Sequence, residues 1–433
     1  MDLSSKHVRV IDNGLFVSFA RKIAPAFGKL DYYCPYQSYC PKSNQLCVGD
    51  GFDEMERIKF PLQDADKVDL WIFLDIYHCD MQSFLIERGA RVWGARYGEE
   101  LELYRWEFKQ LLKKIGLPVQ HCEHIVGIDK LRTYLRDTKD KYVKTSFVRG
   151  DFETFRHENY ILSEPRLDEL VHVLGPLKDN YEFIVEDEIP DAVEVGYDGF
   201  TIDGEFPSHG MVAYEIKDVG MIGTVKAYDK LPKPVLDVNS KLSSTFRDYN
   251  YRGFLCTEIR FGARDRKPYL IDPCCRLGSP SNELLQELFD GWPDTLWHGA
   301  AGETKSPREK FKFAVAAVIH CEWGTENWVA LHYPKEIDQW VKLRFHTKVD
   351  GVNYTAPQPV GLPAPGVVLG VGKTLLEAIA HCKENADQVK GYQVEVTLES
   401  IDKALGVIEK GQKMGIEFSR ELPTVEQVHK VLG

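Results

Sequence analysis

Near the amino terminus, short apolar runs alternate with helix-patterned segments, and no other feature restricts the fold as much. "HVRVIDNGLFVSFARKIA", His7 to Ala24, reads as a strand, a turn at Asn13 and Gly14, and a helix with apolar residues at helical spacing. "KVDLWIFLDIY" is a second buried strand run, and "MQSFLIERGARVWG" gives a helix, a glycine stop and another short strand. Alternation of this kind predicts an α/β layer of parallel strands.

Beyond it the pattern changes. "EELELYRWEFKQLLKKIG", Glu99 to Gly116, predicts one charged amphipathic helix that opens a new domain. Strand runs "KYVKTSF" and "YEFIVEDEI", then several more up to "LIDP", predict a mixed, largely antiparallel sheet with helices. Ser281 to Phe289 reads as a helix, Gly291 to Pro307 as a boundary, and the last unit is "GVVLGVGKTLLEAIAHCKENADQVKG". At 433 residues the chain divides into about two to four domains.

With 54 Lys and Arg against 66 Asp and Glu, the formal net charge of -12 disfavours non-specific attraction to nucleic acid or anionic membrane. No apolar run approaches the roughly 20 residues of a membrane span. The ten cysteines lack the spacing of a disulfide scaffold, so a cytoplasmic protein with reduced thiols is the expectation. Cys34, Cys40 and Cys47 are close in sequence but have no C-x-x-C pairing, so ordinary thiols outweigh a zinc site.

Three motifs lose to plainer readings. "GVGKT", Gly370 to Thr374, lacks the earlier glycine of a phosphate loop, since that position is Val367, and reads as a tight turn into a helix. "NYT" at Asn353 is a sequon only in a secreted chain. "HCEH", His121 to His124, has the wrong spacing for a helical metal pair and reads as solvated loop.

The segment "GFLCTEIRFGARDRKPYLIDPCCRLGSP" carries the chemistry. Phe254 to Phe261 and Tyr269 to Asp272, joined by a polar turn, predict an antiparallel hairpin in which Glu258 and Asp272 can face each other. Facing carboxylates repel unless a divalent cation lies between them, and Mg²⁺ takes one or two carboxylates plus nucleotide phosphates. Arg276 then forks onto a phosphate or carboxylate. Of equal standing on these residues alone is a surface hairpin whose acids pair with Arg260, Arg264 or Arg266. Cys274 and Cys275 beside Arg276 read either as a redox-sensitive pair or, with greater weight, as buried and inert.

The order of features in this middle third resembles the ATP-grasp superfamily, most closely its phosphoribosylamine-glycine ligase-like and carboxylase-like branch. "YRWEFKQLLKKIGLPV" is similar to the entry helix and implies a phosphate contact for Lys109. "YVKTSFVRGDFET" resembles the strand whose lysine meets the α- and β-phosphates, here Lys144, with Arg149 to Thr154 as the phosphate-covering loop and Arg149 a nucleotide contact. "FIVEDEIPDAVEVGYDGF" resembles the hinge, implying that Glu186 and backbone near Ile189 read adenine and Glu194 the ribose hydroxyls. Glu258 and Asp272 fall at the magnesium carboxylates, and Arg276 at the arginine that steadies an acyl phosphate. "DPCCR" departs from the usual Glu-x-Asn-x-Arg, placing Cys274 at the Asn position, and "IDNG" lacks the glycine-rich start of the phosphoribosylamine enzyme.

The resemblance implies an α/β and α+β multidomain chain: an N-terminal α/β pre-ATP-grasp domain over residues 1–103, a two-lobed ATP-grasp domain over 104–297 with its hinge near 181–200, and a small C-terminal α+β domain over 298–433. It implies an ATP-dependent carboxylate-amine ligase working through an acyl phosphate, with ATP and Mg²⁺, or Mn²⁺ in its place. Lys144 and Arg276 would be catalytic. The partners would be a small carboxylate and an amine, with no membrane and room for a homodimer. The alternatives are an ATP-grasp phosphotransferase and a non-catalytic or regulatory ATP-binding protein.

Overall fold

The structure is a computed structural model that describes residues 1–35, 48–147, 154–216, 220–357, 363–398 and 401–433. The first layer is the expected parallel sheet. His7–Ile11 lies at its centre, between Lys29–Tyr33 and Leu70–Phe73, with Glu56–Arg57 and Val92–Trp93 at the edges. Val8, Val10, Ile72 and Trp71 are fully or almost fully buried, as strands covered on both faces require. Val17–Ile23 and Cys79–Glu87 are its helices. In open parallel sheets the crevice lies outside the carboxyl ends of the strands, where the strand order reverses. Here that crevice is formed by the turns after Ile11 and Phe73, which Asn13 Nδ2 joins by donating to Asp75 at 3.2 Å.

The helix predicted over Glu99–Gly116 is broken at Tyr104 (φ -99°, ψ 82°) into Glu100–Leu103 and Arg105–Lys114. The break lets Glu102 turn inward towards Arg276, while Arg105 and Lys109, four residues apart, share the buried face of the second segment. Gly116, at φ +73°, ends the helix as expected.

A small antiparallel sheet follows, in the order Cys122–Val126, Glu182–Asp187, Lys141–Thr145, Thr154–His157. Val143, Phe183 and Val185 pack against helices Ile128–Arg136 and Tyr160–Leu174. By the two-residue strand period, Lys144 and Glu186 project from the other face. "HCEH" is thus the start of an edge strand, not loop, and His124 stacks on Trp106 with ring centroids 4.8 Å apart.

The large sheet is antiparallel throughout its described pairings. It runs Pro268–Cys274, Arg252–Phe261, Val193–Ile202, His209–Ile216, Gly220–Ala227, Phe313–His320, Gly366–Gly372, Val341–Leu343. Strands from the last third of the chain therefore extend the sheet that holds the hairpin. Helices Lys233–Asp248, Ser281–Leu288 and Leu375–Ala386 pack on it.

"GVGKT" straddles the end of a buried strand and a capping box in which Thr374 and Glu377 satisfy each other's backbone N–H groups. A Cβ on Gly370 would lie 2.1 Å from Cys382 N, so close strand-helix packing explains that glycine. Asn353 is buried, its Oδ1 3.0 Å from His346 Nε2, which is no place for a glycan. Among the described residues, no helix is long and apolar enough to cross a membrane.

Candidate active site

The hairpin forms as predicted, with Glu258 directly opposite Asp272. Immediately beyond, the register slips so that Ile259 faces Leu270, leaving Ile271 as a bulge. The bulge turns the Ile271 carbonyl towards helix Arg105–Lys114, where it accepts from Lys109 Nζ at 3.4 Å. Asp272 receives Lys144 Nζ at 2.8 Å on one oxygen and the Arg105 guanidinium on the other. Lys109 and Lys144 reach Glu186 at 2.7 and 3.5 Å, and Gln120 Nε2 donates to the same carboxylate at 2.8 Å.

Arg105, Lys109, Lys144 and Glu186 are all buried. Burial works against the Glu186 charge, but Lys109 and Lys144 outweigh it and hold the carboxyl below its ordinary value. Burial likewise opposes the Lys144 charge, and Asp272 and Glu186 raise its pKa despite that. A compact set of cations from helix Arg105–Lys114 and strand Lys141–Thr145 is thereby fixed against the acidic end of the hairpin.

On the large sheet, a cavity of about 280 Å³ is lined by Glu194, Asp198, Glu258, Asp272, Cys274 and Arg276 among others. Withdrawal from water, then the charges of Glu194 and Asp272, push the Glu258 carboxyl up to about 7. Burial also raises Asp198, and it raises Glu194 although Arg260 lies 2.6 Å from that carboxylate. Arg276 Nε is 3.1 Å from Glu102 Oε1 and 3.6 Å from Asp75 Oδ1. Burial opposes its charge, and Cys274, Glu102 and Asp75 together raise its pKa. Through Asp75, Arg276 is tied to the crevice of the parallel sheet.

Of the residues singled out in the sequence, Lys109, Lys144, Glu186 and Asp272 come together in one ionic cluster. Glu258, Glu194 and Arg276 line the adjoining cavity. Ile189, half-buried, lies in the segment joining Glu182–Asp187 to Val193–Ile202, between the two sheets. Arg149 lies outside the described residues. The proposed Arg260 pairing also exists, at 3.5 Å from Glu258.

Sequence reading missed Arg105, Glu102, Asp75, Gln120 and Asp198. Arg105 was discoverable, because it lies one helical turn before Lys109. Of the two neighbouring thiols, Cys275 is buried as expected and Cys274 is only part-buried. Burial pushes the Cys275 thiol up, and its backbone N–H donates to Glu102 at 2.6 Å. Cys274 instead faces Cys256 across the hairpin.

Among the described residues, no three His, Cys, Asp or Glu side chains converge to hold a metal unaided. The Glu258–Asp272 pair offers hard oxygen donors, and the neighbouring charges that add to the effect of burial on Glu258 are what a divalent cation relieves. That donor chemistry fits Mg²⁺ completed by phosphate oxygens.

No protein-family model matches the chain, and no curated protein matches it. Solved structures do. Phosphoribosylamine-glycine ligase from Thermotoga maritima superposes with a TM-score of 0.66 at 16% identity, covering 90% of this chain and 98% of that one. The biotin carboxylase domain dimer of the Hydrogenobacter thermophilus 2-oxoglutarate carboxylase, in complex with MgADP, ADP and bicarbonate, gives 0.62 at 11% identity, covering 99% and 98%. L-amino acid ligase from Bacillus licheniformis gives 0.60 at 13% identity, covering 90% and 99%. The fold of this chain is the ATP-grasp fold of these enzymes.

Proposed function

We propose that the chain is an ATP-dependent carboxylate-amine ligase of the phosphoribosylamine-glycine ligase type. The observation that carries this reading is the convergence of Arg105, Lys109 and Lys144, all buried, on Asp272 and Glu186 beside the Glu258–Asp272 pair. Cations held in place before the substrate arrives need no reorganisation as charge spreads over a transferring phosphoryl group.

In the reaction, an oxygen of the carboxylate substrate attacks the γ-phosphorus of ATP, the bond to the bridging oxygen breaks, and ADP leaves. The amine then attacks the acyl carbon, the carbon-oxygen bond to phosphate breaks, and the departing phosphate takes the amine proton. Lys109 and Lys144 bind the phosphates. Glu186 holds both lysines in position and, after Asp272, helps to raise the pKa of Lys144, and hinge backbone near Ile189 with Glu194 holds the nucleoside. Arg276, braced by Glu102 and Asp75, steadies the acyl phosphate where the large sheet meets the crevice of the parallel sheet. Glu258 and Asp272 would hold Mg²⁺, which supplies neutralisation of the phosphate charge.

The test is thermal shift and ADP release with Mg²⁺-ATP against a panel of amino acids and small carboxylates, on the wild type and Asp272→Asn. Substrate-stimulated ADP release with an amide product is expected, falling at least about 100-fold in the variant. A phosphorylated product without amide would make the protein a phosphotransferase. Stabilisation by ATP without ADP release would make it a nucleotide sensor, and no nucleotide effect would overturn the reading.

A further inference from the structure

Two thiols line the floor of the cavity, one on each strand of the hairpin. Cys256 lies two residues before Glu258, Cys274 two residues after Asp272, and they are direct partners in the antiparallel register. By the strand period, each thiol shares a sheet face with the carboxylate beside it. Cys256 Sγ lies 3.6 Å from Ser281 Oγ, and Cys274 Sγ lies 3.9 Å from the Arg276 carbonyl oxygen. Directly opposite residues in such a ladder have Cα atoms about 4.5–5.5 Å apart, within the range of about 4.4–6.8 Å that a disulfide spans. Both cysteines are free and only part-buried, whereas Cys275 is buried. Gly278 keeps the place open, since a Cβ there would lie 2.7 Å from Cys256 Sγ.

We propose that Cys256 and Cys274 are a dithiol oxidation site, closed to a reversible disulfide by a small peroxide, and that closure weakens Mg²⁺-nucleotide binding. The Cys274 sulfur attacks one peroxide oxygen and gives up its proton; the O–O bond breaks, and the second oxygen takes that proton and leaves as water. The resulting sulfenic sulfur is attacked by the other thiol, the S–S bond forms, and a second water leaves. Two thiols and one hydrogen peroxide thus give one disulfide and two waters. A disulfide requires Cβ atoms about 3.8 Å apart, closer than the about 4.5–5.5 Å of a relaxed cross-strand pair. Closure therefore draws the strands together beside Glu258 and Asp272 and sharpens the repulsion between these acids. The nucleotide effect rests on the ligase reading, and the disulfide itself does not.

The experiment treats the full-length protein with hydrogen peroxide, blocks remaining thiols, digests with trypsin without reduction and maps linked peptides by mass spectrometry. Cys256 falls in the peptide 253–260 and Cys274 in 267–276. The expected product joins these two peptides with loss of two hydrogens, persists in Cys275→Ser, and is absent from Cys256→Ser and Cys274→Ser. A Cys274–Cys275 link, or no link, overturns the proposal. In parallel, oxidation should diminish the melting-temperature shift produced by Mg²⁺-ATP, and dithiothreitol should restore it in wild type and Cys275→Ser. An undiminished shift in linked protein overturns the proposed coupling. Absence of any ATP shift in the reduced protein counts against the ligase reading, while the peptide link still decides the oxidation site.

Discussion

Glu186 is held by two ammonium groups and an amide, all out of water, so its charge and theirs depend on one another. Glu186→Gln leaves Lys109 without its carboxylate, and an uncompensated buried charge costs about 3–5 kcal/mol. Urea unfolding should show that loss, together with a weaker response to ATP. A second buried group sets an acid limit. His346 is held neutral with its pKa lowered to about 3, by burial first and then by Arg21, against the opposing influence of Asn353 and Asp338, with Lys348 adding to the lowering. Because the folded value lies below the ordinary 6.5, this group contributes stability above about pH 6.5 that is lost as pH falls towards 3. Replacing His346 with Gln should flatten the fall in melting temperature over that interval. Lys109 and Lys144 were singled out through the helix and strand segments that carry the resemblance, and the structure brings both to Glu186. Glu102 was not, because its partner Arg276 is remote in sequence and nothing in an acidic helix start reveals which acid turns inward.

At the level of elements, the hairpin was legible from two apolar runs around a polar turn, and the facing of Glu258 and Asp272, which such a hairpin allows, is realised. The bulge at Ile271 was not legible, because it answers to Lys109 on helix Arg105–Lys114 rather than to the turn. The same holds for the break at Tyr104, where local helical spacing continues and tertiary contacts interrupt it. The glycine-lysine-threonine segment shows the converse, a striking-looking motif fully accounted for by a strand end and a helix cap. Thr374→Ala should cost about 0.5–2 kcal/mol through loss of the cap. Lys373→Ala, at an exposed position, should leave the ATP-induced thermal shift unchanged. A lost shift in Lys373→Ala would return a phosphate-binding role to that turn.

Over the whole molecule, the alternating amino-terminal pattern and the antiparallel middle were both readable, but their mutual arrangement was not. The pairing of Gly220–Ala227 with Phe313–His320 joins segments far apart in the chain, and local periodicity carries no record of such a partner. The carboxyl-terminal strands also clasp the parallel layer, with the His346 carbonyl accepting from Gly49 at 2.8 Å and Asp50 O accepting from Lys348 N at 2.9 Å. That continuous sheet governs how the protein can be divided. A chain truncated after Ala300 would retain every residue of the ionic cluster, yet leave the backbone of Gly220–Ala227 as a bare edge open to strand addition. Size-exclusion chromatography of such a truncation should show self-association, and co-expression of residues 301–433 should suppress it, making the last third a built-in chaperone of the sheet it completes.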